Sequence, residues 1–158
     1  MVDEMDTKNS EEFDGGGKMT QALDLSPLQK ALASLLVAIE RTERETSDET
    51  IDDMLRDSVI QRFEYTYELC WKMLKRRLEM DVPSPELIDG MSFREMIREG
   101  AERGMIADPL AWFDYRQKRN LTTHTYDETV AQDVYRAAVD FASDAQALLA
   151  ALLERNKP

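Results

Sequence analysis

The stretch Arg119-Asn120-Leu121-Thr122-Thr123-His124-Thr125-Tyr126-Asp127 holds the residue types best suited to chemistry in this chain. His124 is the only histidine. An unperturbed imidazole titrates near neutrality and can accept or donate a proton. An arginine nearby offers a planar fork of donors to a phosphate. Together they form a toolkit for metal-free cleavage of RNA. The base takes the ribose 2′-OH proton, and the guanidinium steadies the phosphorane-like transition state. Such a site needs no metal and no cofactor.

Geometry sets a condition on this pair. Five positions along a straight helix rotate by about 500°, which leaves the two side chains roughly 140° apart. They cannot share a target on one continuous helix. Asn120, Thr122 and Thr123 are poor helix formers that favour caps and turns, so a break is expected there. Thr125 and Glu128 have capping-box spacing, which puts His124 just before the last helix. The positive end of that helix attracts anions, and a phosphate held between His124 and Arg119 fits there.

Plainer roles exist for the same residues. A lone histidine at a helix start also caps or packs, and Tyr126 also reads as a packing aromatic at a turn. A purely structural oligomerisation module needs none of this geometry. Acid and base work ordinarily needs two groups, and one protomer offers one histidine. A two-fold homodimer with this segment at its interface supplies the second.

The earlier sequence offers supporting residues. Glu64 and Glu68 are spaced i, i+4 and share a helix face, and Glu68 precedes Lys72 by the same spacing in the favourable order for an ion pair. Glu68 reads either as that surface pair or as a carboxylate positioning Arg119 or His124. Lys72 and Asn120 are further supporting candidates. Basic residues cluster at Lys72, Lys75, Arg76 and Arg77, and again at Arg116, Lys118 and Arg119. Each cluster alone reads as a solvated face; their convergence in space would carry more weight.

Composition bounds the fold that must position these groups. The chain has 158 residues, 42% of them apolar, and a net charge of −12. One domain of ordinary size is expected over residues 24–158. The charge argues against a general nucleic-acid coat protein but leaves room for a local phosphate site. No apolar run is long enough for a membrane span. The acidic N-terminus lacks the apolar stretch of a secretory signal. Cys70 is the only cysteine, so no intrachain disulfide forms and a cytoplasmic location is the default. Residues 1–23 read as a disordered acidic tail, with Gly15-Gly16-Gly17 costly to order.

Helical periodicity covers the rest. Ser26 as cap and Pro27 open a helix with Leu28, Leu32, Leu35, Leu36 and Ile39 as its stripe. A longer helix starts near Ser47 or Asp48 and runs to about Glu79. Its period is kept by Ile51, Leu55, Val59, Phe63, Tyr67, Cys70, Trp71, Leu74 and Leu78, and Pro83 and Pro85 end it. Ser92 and Glu95 form a capping box, and Gly104 stops that helix. Asp108 caps the next, with Pro109, Leu110, Trp112, Phe113 and Tyr115. The last begins near Thr125 to Asp127 and ends near Glu154, lined by Val130, Val134, Ala138, Phe141, Ala145, Leu148, Leu149 and Leu152. No sheet is expected, and an all-α antiparallel bundle of four or five helices is the natural architecture.

Arginine, four residues, then histidine, followed by Tyr126, resembles the extended motif of the HEPN superfamily (higher eukaryotes and prokaryotes nucleotide-binding). The helix RFEYTYELCWKMLKRRL is similar to that of its nucleotidyltransferase substrate-binding group, through Arg62, Phe63, Glu64, Tyr67, Glu68, Trp71, Lys72 and Leu74. The likeness spans about residues 25–153. It implies an up-and-down four-helix core with additional short helices, a homodimer, and a minimal nucleotidyltransferase as partner. Two functions follow from it. In one, a toxin cleaves RNA with Arg119 and His124, and the partner silences it by adenylylating Tyr126. In the other, a non-catalytic subunit binds RNA or a nucleotide substrate for the nucleotidyltransferase.

Overall fold

The computed structural model describes residues 22–44 and 47–158. Of the acidic tail, residues 1–21 lie outside the described residues. Leu23, at its end, is buried, and its backbone exchanges two hydrogen bonds with the side-chain amide of Asn156. Six α-helices follow in the described residues: α1 Ser26–Glu43, α2 Glu49–Asp81, α3 Glu86–Asp89, α4 Phe93–Glu102, α5 Pro109–Asn120 and α6 Glu128–Arg155. A 3-10 turn, Thr122–His124, separates the last two. Among the described residues there is no strand. No helix there is long and apolar enough to cross a membrane.

Tertiary bonds give the helix directions. The start of α1 is tied to the end of α6 through Leu23 and Asn156. Arg56, early in α2, pairs with Glu128 at the start of α6, and Arg77, late in α2, donates to the carbonyl of Arg155 at the end of α6. So α1 opposes α6, and α2 runs with it. Helix α5 feeds back into α6 through the 3-10 turn, which completes an up-and-down bundle of α1, α2, α5 and α6. Helices α3 and α4 are short additions between α2 and α5.

The apolar stripes become the core. Leu28, Leu32, Leu35 and Ile39 of α1 are buried, as are Val134, Ala138, Phe141, Ala145, Leu148 and Leu152 of α6. Phe141 meets Phe63, Tyr115 and Trp112 edge-on at centroid distances of 5.1, 5.3 and 5.6 Å. This aromatic centre joins α2, α5 and α6 and fixes how α5 lies across α2. Cys70 is buried in the same core, and burial pushes its thiol well above the usual range.

Local signals place the helix ends, with three corrections. Asp48 caps α2 by accepting from Thr50 and Ile51; Ser92 and Glu95 form a complete capping box; Asp108 caps α5. Gly104 has φ +82°, the left-handed conformation that ends α4 without the Cβ penalty. Ser26, however, does not cap α1. It is the first helical residue, and the carboxylate of Asp24 accepts its N–H at 3.0 Å. Leu110 is exposed rather than part of the core face of α5, and Ile51 is exposed at the first turn of α2. The third correction falls at the start of α6. Asp127 is the cap, accepting from Thr129 and Val130, while Thr125 turns its hydroxyl back to the carbonyl of Thr122. Glu128 is drawn to Arg56 instead of closing a box. Asp127→Ala is therefore expected to destabilise the protein by about 1 kcal/mol, read as a shifted urea midpoint with an unchanged slope.

Candidate functional site

Helix α5 stops at Asn120, as the poor helix formers after it predict. Leu121 and the 3-10 turn then reorient the chain by one tight step. Arg119 sits on the last turn of α5, and His124 ends the 3-10 turn. The break that the pair requires is present.

Arg119 is held from α2. Its Nε donates to Glu68 Oε1 at 3.0 Å, and its Nη1 lies 3.2 Å from Glu64 Oε2. Glu64 also accepts from the Thr122 hydroxyl at 2.7 Å, and Glu68 accepts from Trp71 Nε1 at 3.0 Å. Two carboxylates one turn apart thus fix one guanidinium, and each is itself fixed by a second donor. The network ties α2 to α5 and to the 3-10 turn. Arg119 remains partly exposed, with 29% of its side chain accessible, so part of its fork faces solvent. Glu68 thus contacts Arg119, one of the two groups the sequence paired it with.

His124 is exposed. Its backbone N–H donates to the carbonyl of Leu121 at 2.9 Å, and its own carbonyl accepts from Asp127 at 3.1 Å. These backbone bonds fix the turn and leave the imidazole outside the core. The ring meets Tyr126 edge-on at 6.1 Å. Tyr126 is 86% exposed, so it is not a packing aromatic. At the start of α6 the Asp127 carboxylate takes the N–H groups of Thr129 and Val130.

The other candidates divide. Asn120 and Arg119 line a cleft of about 330 Å³ between α2, α4 and α5, together with Tyr67, Trp71, Phe93 and Arg116. Lys72 neither lines it nor pairs with Glu68, whose carboxylate is turned to Arg119 and Trp71. The two basic clusters partly converge, since Lys75 joins Arg116 and Arg119 in the cleft wall. Arg77 has a different use: it is buried, pairs with Asp81 and ties α2 to the end of α6. Thr122 went unrecognised as part of the site. Its only local signal was as a helix breaker, and the bond to Glu64 spans 58 residues. Among the described residues no group of His, Cys, Asp or Glu is arranged to hold a metal ion.

The fold and the break define a class: a helical bundle that displays an arginine and a histidine on either side of an interrupted helix, with a tyrosine beside them. A family model described as nucleotidyltransferase substrate binding protein like matches residues 23–154. The chain belongs to that family, which is of the HEPN type. It is 37% identical over 147 residues to a probable ribonuclease HepT from Haemophilus influenzae, covering 88% of this chain and 98% of that protein. A solved Haemophilus influenzae structure, described as revealing the fold of a substrate-binding domain of a nucleotidyltransferase, superposes with a TM-score of 0.77 at 34% identity. That match covers 82% of this chain and 98% of the other. A solved structure from Thermus thermophilus matches with a TM-score of 0.63 at 33% identity over 79% of this chain and 98% of its own.

Proposed function

We propose that this chain is the toxin of a toxin–antitoxin pair, a metal-independent endoribonuclease acting as a homodimer. One observation carries the reading. The helix break leaves His124 exposed one turn beyond an Arg119 that Glu64 and Glu68 hold in place. The name of the Haemophilus influenzae relative supports it. His124 removes the proton from a ribose 2′-OH, and the 2′-oxygen attacks the adjacent phosphorus. Arg119 binds the phosphoryl oxygens as negative charge builds on them. The 5′-oxygen leaves with a proton given by His124 of the partner subunit. The products are a 2′,3′-cyclic phosphate and a 5′-hydroxyl end. The chain works as one helical domain over residues 24–158, in the cytoplasm.

A minimal nucleotidyltransferase is the antitoxin, and it adenylylates Tyr126. The exposed phenol is open to an incoming nucleotide. The added AMP brings a negative phosphate and a bulky base two residues from His124, which repels RNA and blocks the site. Intact mass after co-expression tests this. Addition of one or more AMP units on the peptide containing Tyr126 is expected. Tyr126→Phe should abolish that gain while leaving growth arrest intact. No gain beside an active nucleotidyltransferase would overturn neutralisation by this route.

A second reading draws on the family description and on the cleft beside Arg119. Here the chain is a non-catalytic subunit that binds a substrate for the nucleotidyltransferase. It predicts no toxicity from the chain alone and a changed rate of nucleotide transfer when it is added to the partner.

A further inference from the structure

Along α4 and α5 most charged side chains have partners. Arg103 pairs with Glu99, Lys118 with Asp114, and Arg119 with Glu64 and Glu68. Glu95 commits its carboxylate to the Ser92 cap. Arg94, Arg98 and Arg116 differ. All three are exposed, and none has a carboxylate partner among the described residues. In a chain with 32 acidic residues that is not forced by composition. Their guanidinium groups lie over aromatic rings instead. Arg94 is 4.4 Å from the centroid of Phe113, Arg98 is 5.6 Å from the same ring, and Arg116 is 4.4 Å from that of Phe93. An arginine resting on a ring is oriented while its N–H edges stay open to phosphate oxygens.

The stripe meets the cleft that Arg119 lines at its Arg116 end, while Arg94 and Arg98 lie outside it over Phe113. Arg116 and Phe93 form part of its wall, with Trp71 beside them. Its carboxylates are engaged, Asp89 with Lys75 and Glu68 with Arg119 and Trp71. Tyr67 in the same wall is buried, and its hydroxyl has no partner among the described residues. About 330 Å³ lies at the small end of ligand-sized pockets, which run from roughly 300 to 1,000 Å³. Such a space admits one nucleotide and no folded element of a protein. Aromatic walls suit a base, and unpaired arginines suit a backbone.

We propose that this stripe and cleft hold single-stranded RNA beside the scissile phosphate, with backbone phosphates on Arg94, Arg98 and Arg116 and one unstacked base against Trp71. The inference rests on the RNA-cleavage reading and names where its substrate lies. An acidic face of the nucleotidyltransferase is the rival occupant. The cleft favours RNA, because a flat protein contact has no use for a nucleotide-sized recess next to Arg119.

Binding of a short fluorescein-labelled single-stranded RNA to the full-length His124→Ala protein, followed by anisotropy across a salt series, tests the assignment. Replacing Arg94 and Arg98 together by Ala should weaken binding at least about tenfold. It should also flatten the slope of log Kd against log salt by about 1.4, at roughly 0.7 per single-strand phosphate. Arg116→Ala should flatten it by about 0.7. Trp71→Leu should weaken binding about fivefold or more with the slope unchanged, because stacking is not ionic. Arg136→Ala, on α6, should change neither quantity; circular dichroism confirms that each variant is folded. Unchanged affinity and slope in the stripe variants would overturn the proposal. So would variants that lose the nucleotidyltransferase complex yet bind and cleave RNA normally. If the unaltered chain cleaves RNA and the same stripe substitutions made with His124 intact leave cleavage equally fast, this inference alone falls. If the unaltered chain neither binds nor cleaves RNA, the parent reading falls with it.

Discussion

His124→Ala is expected to slow RNA cleavage by about 10²–10⁴-fold, the usual worth of a positioned acid–base group, while leaving the fold intact. The second half of this expectation follows from where the side chain sits. The imidazole is exposed, and the hydrogen bonds at this residue are made by its backbone. Removing the ring therefore opens no cavity and orphans no buried donor. Surface changes of this kind shift stability by about 0.5 kcal/mol or less. Cleavage of single-stranded RNA in EDTA, scored by 2′,3′-cyclic phosphate ends, gives the rate, and thermal melting gives the control. Growth arrest on expression without the nucleotidyltransferase should disappear in the same variant. A variant that cleaves at the parent rate would remove histidine from the chemistry. A parent chain that is harmless alone but alters nucleotide transfer by its partner would favour the substrate-binding reading.

The paired measurements matter because a structural histidine would behave the other way round. A capping or packing residue would lower the melting temperature and leave cleavage of the folded fraction unchanged. The position of His124, outside the core and beside the exposed Tyr126, is what separates the two outcomes.

Local chemistry made most of the bundle legible. Asp48, Ser92 with Glu95, Asp108 and Gly104 mark helix ends through bonds to residues at most three or four positions away. The stripes of α1 and α6 follow from spacing alone, since a core-facing helix must present one apolar side. Local chemistry also misled where two answers competed. At the start of α6 both Thr125 with Glu128 and Asp127 satisfy a capping rule. Asp127 prevails because its carboxylate reaches two orphan N–H groups, and Arg56 draws Glu128 away from 72 residues upstream. The four residues of α3 follow two prolines and are too short to carry a period. The clamp on Arg119 was half visible. The i, i+4 spacing of Glu64 and Glu68 shows a shared face, but only tertiary register shows that Arg119, 51 residues after Glu68, lies opposite it. The same register decides that Glu68 turns from Lys72.

Arg119→Ala is expected to reduce cleavage by about 10²–10³-fold, the cost of removing one donor group aimed at a developing oxyanion. On the proposed ribonuclease reading, the ion pairs prepare this residue for that work. Glu68 takes the Nε–H and Glu64 faces one Nη1, which leaves the remaining N–H groups for a phosphate. The carboxylates also carry a cost, since both are near enough to repel the same phosphate. Their benefit is orientation: a guanidinium held in one rotamer has less freedom to lose when the substrate binds. The pairs are partly exposed, so their loss should change stability by about 1 kcal/mol or less. Arg119→Lys should restore little activity, because an ammonium cannot bridge both glutamates and still offer a planar fork. Glu68→Gln keeps an acceptor for Nε–H and removes a charge, so it should retain most activity. Glu64→Ala with Glu68→Ala should lower kcat by about tenfold or more at a similar KM, because the cation remains but its aim is lost. Full activity in Arg119→Lys would reduce the requirement to a point charge. Full activity in Arg119→Ala would leave the clamp a purely structural joint between α2 and α5.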